Sequence, residues 1–198
     1  SAVDSGNLAG HLLTLRPGLL ELIHAPVFRP RVLQGLLDTL QLLHDALDQE
    51  HEPLHRLQVE LQEALDEPPT TTGAALALLQ RQREHAHALA PALAPHPDSD
   101  AGYWLHALCA QLDELCEETA RFRLDPVDDD ADALRGIPTL AVLSRIEPLR
   151  WSGEHDAEAI REHARERIAL IEQLAQQADE LARMDYRFLY DSARDLLS

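Results

Sequence analysis

The chain has 198 residues, enough for one or two compact domains. Its formal charge is −18, from 35 acidic residues against 17 basic ones, and every basic residue is Arg. That balance excludes a nucleic-acid binder, which needs a basic face to release counterions, and excludes docking on an anionic membrane surface. Apolar residues make up 45% and aromatics only 4%, so a core must be built from Leu and Ala, the residues that head the helix scale.

The spacing predicts a first helical stretch over residues 7–24, interrupted at Arg16-Pro17-Gly18. Pro26 and Pro30 bound a short connection, and Pro30 suits the first position of a helix, where its missing N–H costs nothing. The next stretch carries the clearest pattern. Leu33, Leu36, Leu40, Leu43, Leu47, Glu50, Leu54, Leu57, Leu61 and Ala64 alternate spacings of three and four, which is an a/d heptad seam. Pro53 lies inside it. Because the seam keeps its phase across Pro53, the pattern predicts one helix kinked near Gln49–Pro53 rather than two separate ones.

Glu67-Pro-Pro-Thr-Thr-Thr-Gly73 ends that segment. A further helix is expected over about 73–93, with Leu76, Leu79, Ala86, Ala90 and Leu93 on one face. Asp98, Ser99 and Asp100 are candidate N-caps for a helix reaching about residue 123. There Ala101, Leu105, Leu108, Leu112, Leu115, Thr119 and Phe122 repeat the heptad spacing. Asp125–Asp132 reads as an acidic loop, and Pro138 opens a short helix to about Ile146. After a turn at Trp151-Ser152-Gly153, a last helix over about 154–184 places Ile160, Ala164, Ile168, Ile171, Ala175, Ala178 and Ala182 on one stripe. Asp179 and Arg183 are spaced for an i,i+4 ion pair. The expected fold is all-α: an antiparallel helical bundle of long, partly kinked amphipathic helices over residues 1–184, with a sub-boundary near 124–137.

Few constellations could carry chemistry. His51-Glu-Pro-Leu-His55 matches H-E-x-x-H, in which two imidazoles one helical turn apart hold zinc and the Glu acts as base. Pro53 distorts the turn that must align the histidines, and no third ligand follows at the metzincin spacing, so a solvated helix face is the better reading. His51 and His55 are the weak metal candidates, and a zinc hydrolase built on His51, Glu52 and His55 is the least favoured of three functions. On one continuous helix His44, Asp48, His51 and His55 would share a face and could bind a metal adventitiously. His85 and His87 sit two apart and should point to different faces. The paired carboxylates Glu117-Glu118 and Asp128-Asp129-Asp130 read as solvated charge. No glycine-rich phosphate loop and no G-x-S-x-G elbow occurs, so no catalytic residue and no cofactor site is assigned.

Cys109 and Cys116 lie two turns apart on a helix, roughly 10 Å by helical rise, too far for a disulfide. They read as small buried hydrophobes with free thiols. Tyr103, Trp104 and Trp151 are candidate sugar-stacking rings, although a Trp more often seals a bundle end. No run approaches 18 apolar residues, so no membrane span is expected, and no signal peptide is recognisable at Ser1–Gly6.

The last fifteen residues change character. Three of the six Phe and Tyr residues fall between Tyr186 and Tyr190, after a long Ala/Leu/Glu/Arg tract. Met184-Asp-Tyr-Arg-Phe-Leu-Tyr-Asp-Ser-Ala-Arg-Asp-Leu-Leu-Ser198 resembles the Met-Asp-Phe-x-Phe-Leu-Tyr-Asp-x-x-Arg-x-Leu-x-Ser-Ile-Gly-Tyr entry into the glucoamylase-like domain of cyclic β-1,2-glucan synthases. Met184, Asp185, Phe188, Leu189, Tyr190, Asp191, Arg194, Leu196 and Ser198 match, whereas Tyr186 replaces a Phe and Ser192-Ala193 replaces a common Pro-Glu. A weaker likeness runs through Ile137-Pro138-Thr139-Leu140 and the helix after it.

The resemblance implies that residues 185–198 open a glucoamylase-like domain and that the helices before them connect and brace the parts of a bacterial membrane enzyme. Such a parent, a glycosyltransferase, builds cyclic glucan from UDP-glucose at the cytoplasmic side of the inner membrane. The chain itself would be a non-catalytic helical linker whose partners are neighbouring domains, with no nucleic acid, no membrane insertion of its own, and glucan contact left open. The alternative is an independent helical module that uses its heptad seams to bind partner helices.

Overall fold

A computed structural model describes residues 2–47, 51–93, 96–123, 136–146, 154–183, 190–191 and 196–197. The described residues are helical almost throughout, in keeping with the all-α expectation. In chain order the elements are α1 (Ala2–Glu21), α2 (Arg31–Asp45), α3 (Glu52–Asp66), α4 (Thr72–Leu93), α5 (Asp100–Arg121), α6 (Leu140–Leu143), α7 (Glu154–Ala182), β1 (Tyr190–Asp191) and β2 (Leu196–Leu197). They belong to two compact units. One comprises Pro26–Pro138 and Ile146–Ile160; the other comprises Ser1–Ala25, Thr139–Arg145 and Arg161–Ser198, so the division falls within α7.

The first unit is a closed ring of four helices. α2 packs on α3, α3 on α4, α4 on α5, and α5 returns to α2. Short connections between successive helices make neighbours antiparallel, the up-and-down arrangement of a four-helix bundle. Its core is leucine: Leu33, Leu36, Leu43, Leu54, Leu57, Leu61, Leu79, Leu108 and Leu112 are fully buried, and Phe28 and Cys116 join the same cluster. The leucines lie on the apolar stripe of their own helices, so the ring closes because every helix turns that stripe inward. The Thr39 hydroxyl lies within hydrogen-bond distance of Gly35 O one turn back (3.0 Å) and of Gln111 Oε1 (3.1 Å), and the second contact ties α2 to α5.

The single kinked helix expected over the long seam is instead a hairpin. α2 ends at Asp45 with Ala46 as C-cap, and α3 starts at Glu52 with Pro53 in its first turn. Pro53 does not kink a helix as expected. A residue without an N–H is least costly in the first turn of a helix, and there it starts α3 rather than bending a longer one. Both halves of the seam reach the same core, from two helices that pack on each other.

Elsewhere the ends follow local chemistry. Ser99 caps α5: its Oγ accepts from Gly102 N (3.1 Å) and donates to His96 O (2.6 Å). The chain is so tight here that a Cβ on Gly102 would stand 2.4 Å from His96 O. On α4 the buried face is Ala75, Leu76, Leu78, Leu79, Gln82, Ala86 and Leu89; Ala90, expected on that face, is exposed. Near the C-terminal end of α5 Cys116 rather than Leu115 is the fully inward residue.

The second unit is built differently. α1 runs unbroken through Pro17, where an interruption was expected; Pro17 is exposed, while Leu19 and Leu20 just beyond it are half-buried. Thr139 caps α6 by accepting from Val142 N (3.2 Å), and Ala141 N donates to Ile23 O (3.0 Å), which joins α6 to the turn after α1. The buried residues of α7 in this unit are Ala164, Ala175, Ala178 and Ala182, on the stripe read from the sequence. Asp179 bonds Arg183 as the i,i+4 spacing predicts, and Arg16 of α1 approaches the same carboxylate at 4.0 Å. β1 and β2 pair antiparallel, Tyr190 with Leu197 and Asp191 with Leu196. The acidic stretch 125–132 and the Trp151–Gly153 turn lie outside the described residues.

Candidate functional site

The zincin-like residues are not arranged as that chemistry requires. His51 precedes α3 as its N-cap, with extended backbone (φ −121°, ψ 114°), while Glu52 and His55 lie within the helix and are exposed. The two imidazoles therefore do not project from successive turns of one helix. His44 belongs to α2, so the four-residue face expected of His44, Asp48, His51 and His55 is divided by the helix break, with Asp48 outside the described residues. Among the described residues no group of three or more His, Cys, Asp and Glu could hold a metal ion.

The polar residues of α4 are engaged across the bundle instead. Glu60 of α3 accepts from Gln82 Nε2 (2.7 Å) and stands 3.6 Å from both Arg81 Nε and His85 Nδ1. On the other flank Asp113 of α5 meets His87 Nε2 (3.0 Å) and Arg83 Nε (3.8 Å). His85 and His87 thus face different helices, as their spacing predicted. Gln82 is fully buried, and its Oε1 has no hydrogen-bond partner.

Cys109 and Cys116 are free thiols. Burial, with Asp113 adding to it, pushes the Cys109 thiol above its ordinary range. Burial also pushes Cys116 up; Arg83 opposes this and Asp113 reinforces it. Neither environment is that of an activated nucleophile, which needs the thiolate favoured. Trp104 packs against the leucine core, and exposed Tyr103 meets it edge-on at 4.9 Å between ring centroids.

The sequence reading missed a cleft of about 550 Å³ in the second unit. Its apolar lining is Ile23, Ile168, Ala141 and Ala169. Its polar lining is His24 from the turn after α1, Ser144 and Arg145 from the end of α6, and Arg165 and Glu172 from α7. Arg165, Ile168, Ala169 and Glu172 recur at i, i+3, i+4 and i+7, which places them on one helical face. That spacing is the one signal the sequence held. His24 and Arg145 join it only through the tertiary fold.

Comparison with known proteins finds no family model, no curated protein and no solved structure that matches the chain. No described helix is long and apolar enough to cross a membrane.

Proposed function

We propose that the chain is a bracing region of a cyclic β-1,2-glucan synthase: helices that precede the glucoamylase-like domain and connect it to the rest of a membrane-bound parent. One observation carries this reading. Helix ends just before the resembling segment, and strand pairing lies within it: α7 ends at Ala182, the matching segment opens at Met184, and Tyr190–Asp191 pairs with Leu196–Leu197. The use of Glu60 and Asp113 as anchors between helices, rather than as groups at an open cleft, also supports a structural role. In this reading glucosyl transfer from UDP-glucose belongs to the parent enzyme at the cytoplasmic face of the inner membrane, and this chain supplies no catalytic group.

Reading the gene past Ser198 tests the assignment; Ile-Gly-Tyr is expected next, and an unrelated continuation would overturn it. Incubating the chain with UDP-glucose and with β-1,2-glucan should give neither transfer nor cleavage, and robust turnover of either would sink the proposal.

A second reading, an independent helical interaction module, is favoured by the exposed leucines of the second unit: Leu8, Leu13 and Leu15 on α1, and Leu170, Leu174 and Leu181 on α7. Sedimentation across a concentration series separates the two: a self-associating seam gives oligomers that grow with concentration, and a brace awaiting its own neighbouring domain gives a monomer.

A further inference from the structure

The cleft of the second unit has the chemistry of a small-molecule site. Its volume of about 550 Å³ lies inside the range of ligand pockets, roughly 300–1,000 Å³. In a chain of net charge −18, two Arg residues, Arg145 and Arg165, line one concavity with a single carboxylate, Glu172. Among the described residues, the guanidinium of Arg145, the ring of His24 and the carboxylate of Glu172 have no ion-pair or hydrogen-bond partner. Arg165 has only a loose, exposed pairing with Glu162 at 4.0 Å. Polar groups beside apolar side chains in one cleft, with their donors and acceptors unspent, are the usual anatomy of a binding site.

We infer that this cleft binds a small organic monocarboxylate that also carries a hydrogen-bond donor. The carboxylate lies between Arg145 and Arg165, whose planar forks match two carboxylate oxygens. Glu172 accepts from the ligand's hydroxyl or ammonium group, and a short aliphatic body covers Ile23 and Ile168. The arrangement of charge selects a carboxylate over a phosphate ester: one carboxylate group pairs with Arg145 and Arg165 while the ligand's donor meets Glu172, whereas a phosphate dianion would also face the Glu172 carboxylate.

The test is titration of the full chain, followed by isothermal calorimetry, with three isosteric carboxylates and with inorganic phosphate. The carboxylates are leucine, 2-hydroxy-4-methylpentanoate and 4-methylpentanoate. The first two should bind about fivefold tighter than the third, which lacks the donor. Arg145→Gln and Arg165→Gln should each weaken all three by about tenfold. Glu172→Gln should erase the advantage of the donor-bearing pair and leave 4-methylpentanoate unchanged. Arg56→Gln, on exposed α3 surface, should change nothing. All four positions are exposed, so the variants keep the fold, which circular dichroism verifies. No saturable binding, an equal loss in Arg56→Gln, or phosphate binding tighter than every carboxylate would overturn the inference.

Discussion

The two units are made from the same residue types and use them in opposite ways. In the bundle of α2 to α5 the leucines are inside and the small residues fill gaps between them. In the unit of α1, α6 and the later part of α7, α6 buries Leu140 and Leu143 and the turn after α1 buries Ile23, but α7 turns alanines inward and many leucines of α1 and α7 stay outside: Leu181 is 64% exposed, Leu13 58% and Leu8 52%. A buried Leu contributes roughly 1.5–3 kcal/mol of transfer free energy, whereas a buried Ala contributes a fraction of that. The close helix–helix packing follows the leucines into the bundle. The stability of the chain is therefore expected to be concentrated between Pro26 and Pro138, and the second unit leaves leucine surface exposed, which the bracing role proposed above would cover.

The largest test of that contrast is a pair of truncations. Leu57→Ala or Leu108→Ala, each at a fully buried position of the ring, should cost about 2–5 kcal/mol in chemical denaturation, since a cavity is left among helices that cannot collapse into it. Leu181→Ala on α7 should stay within about 0.5 kcal/mol. Similar costs at both sites would erase the distinction.

Next come the turns that set the ring. Gly102→Ala drives a Cβ into the carbonyl of His96 and should cost about 1–3 kcal/mol by thermal melting. Ser99→Ala removes the α5 cap and should cost about 1 kcal/mol.

Smaller still is Gln82→Met. It removes a buried carbonyl that has no partner but deprives Glu60 of one donor, leaving Arg81 and His85 beside it. The two effects oppose each other, so stability should move by less than about 1 kcal/mol. A loss of several kcal/mol would mean that Glu60 depends on Gln82 alone.

The smallest effect concerns pH. Both cysteine pKa values are raised in the folded chain, so their contribution is fully present below the unfolded value of 9.0 and is lost as pH rises above it. Melting temperature should therefore fall more steeply above pH 9 in the native chain than in a Cys109→Ala/Cys116→Ala variant. Identical slopes would contradict the shifts.

The bundle was largely legible because heptad spacing reports burial directly. Leu33, Leu36, Leu40, Leu43, Leu54, Leu57 and Leu61 were read from three-four alternation alone, and all are buried. The alternation does not report direction. A hairpin whose connection preserves phase gives the same pattern as one bent helix, which is why α2 and α3 were read as continuous. Pro17 misled the reading because its propensity acts on one turn, while the helix on either side continues across it. The cleft was nearly invisible: Arg145 and Arg165 look like any arginine of a charged surface until the end of α6 and the face of α7 are placed together.

Native-state hydrogen exchange on the whole chain tests the central contrast most directly. Amides in the middle of α2, α3, α4 and α5 should exchange only through global unfolding, while those of α1 and of residues 161–182 in α7 should exchange through a lower-energy opening well before it. Equal protection across both sets, rising and falling together with denaturant, would contradict the account.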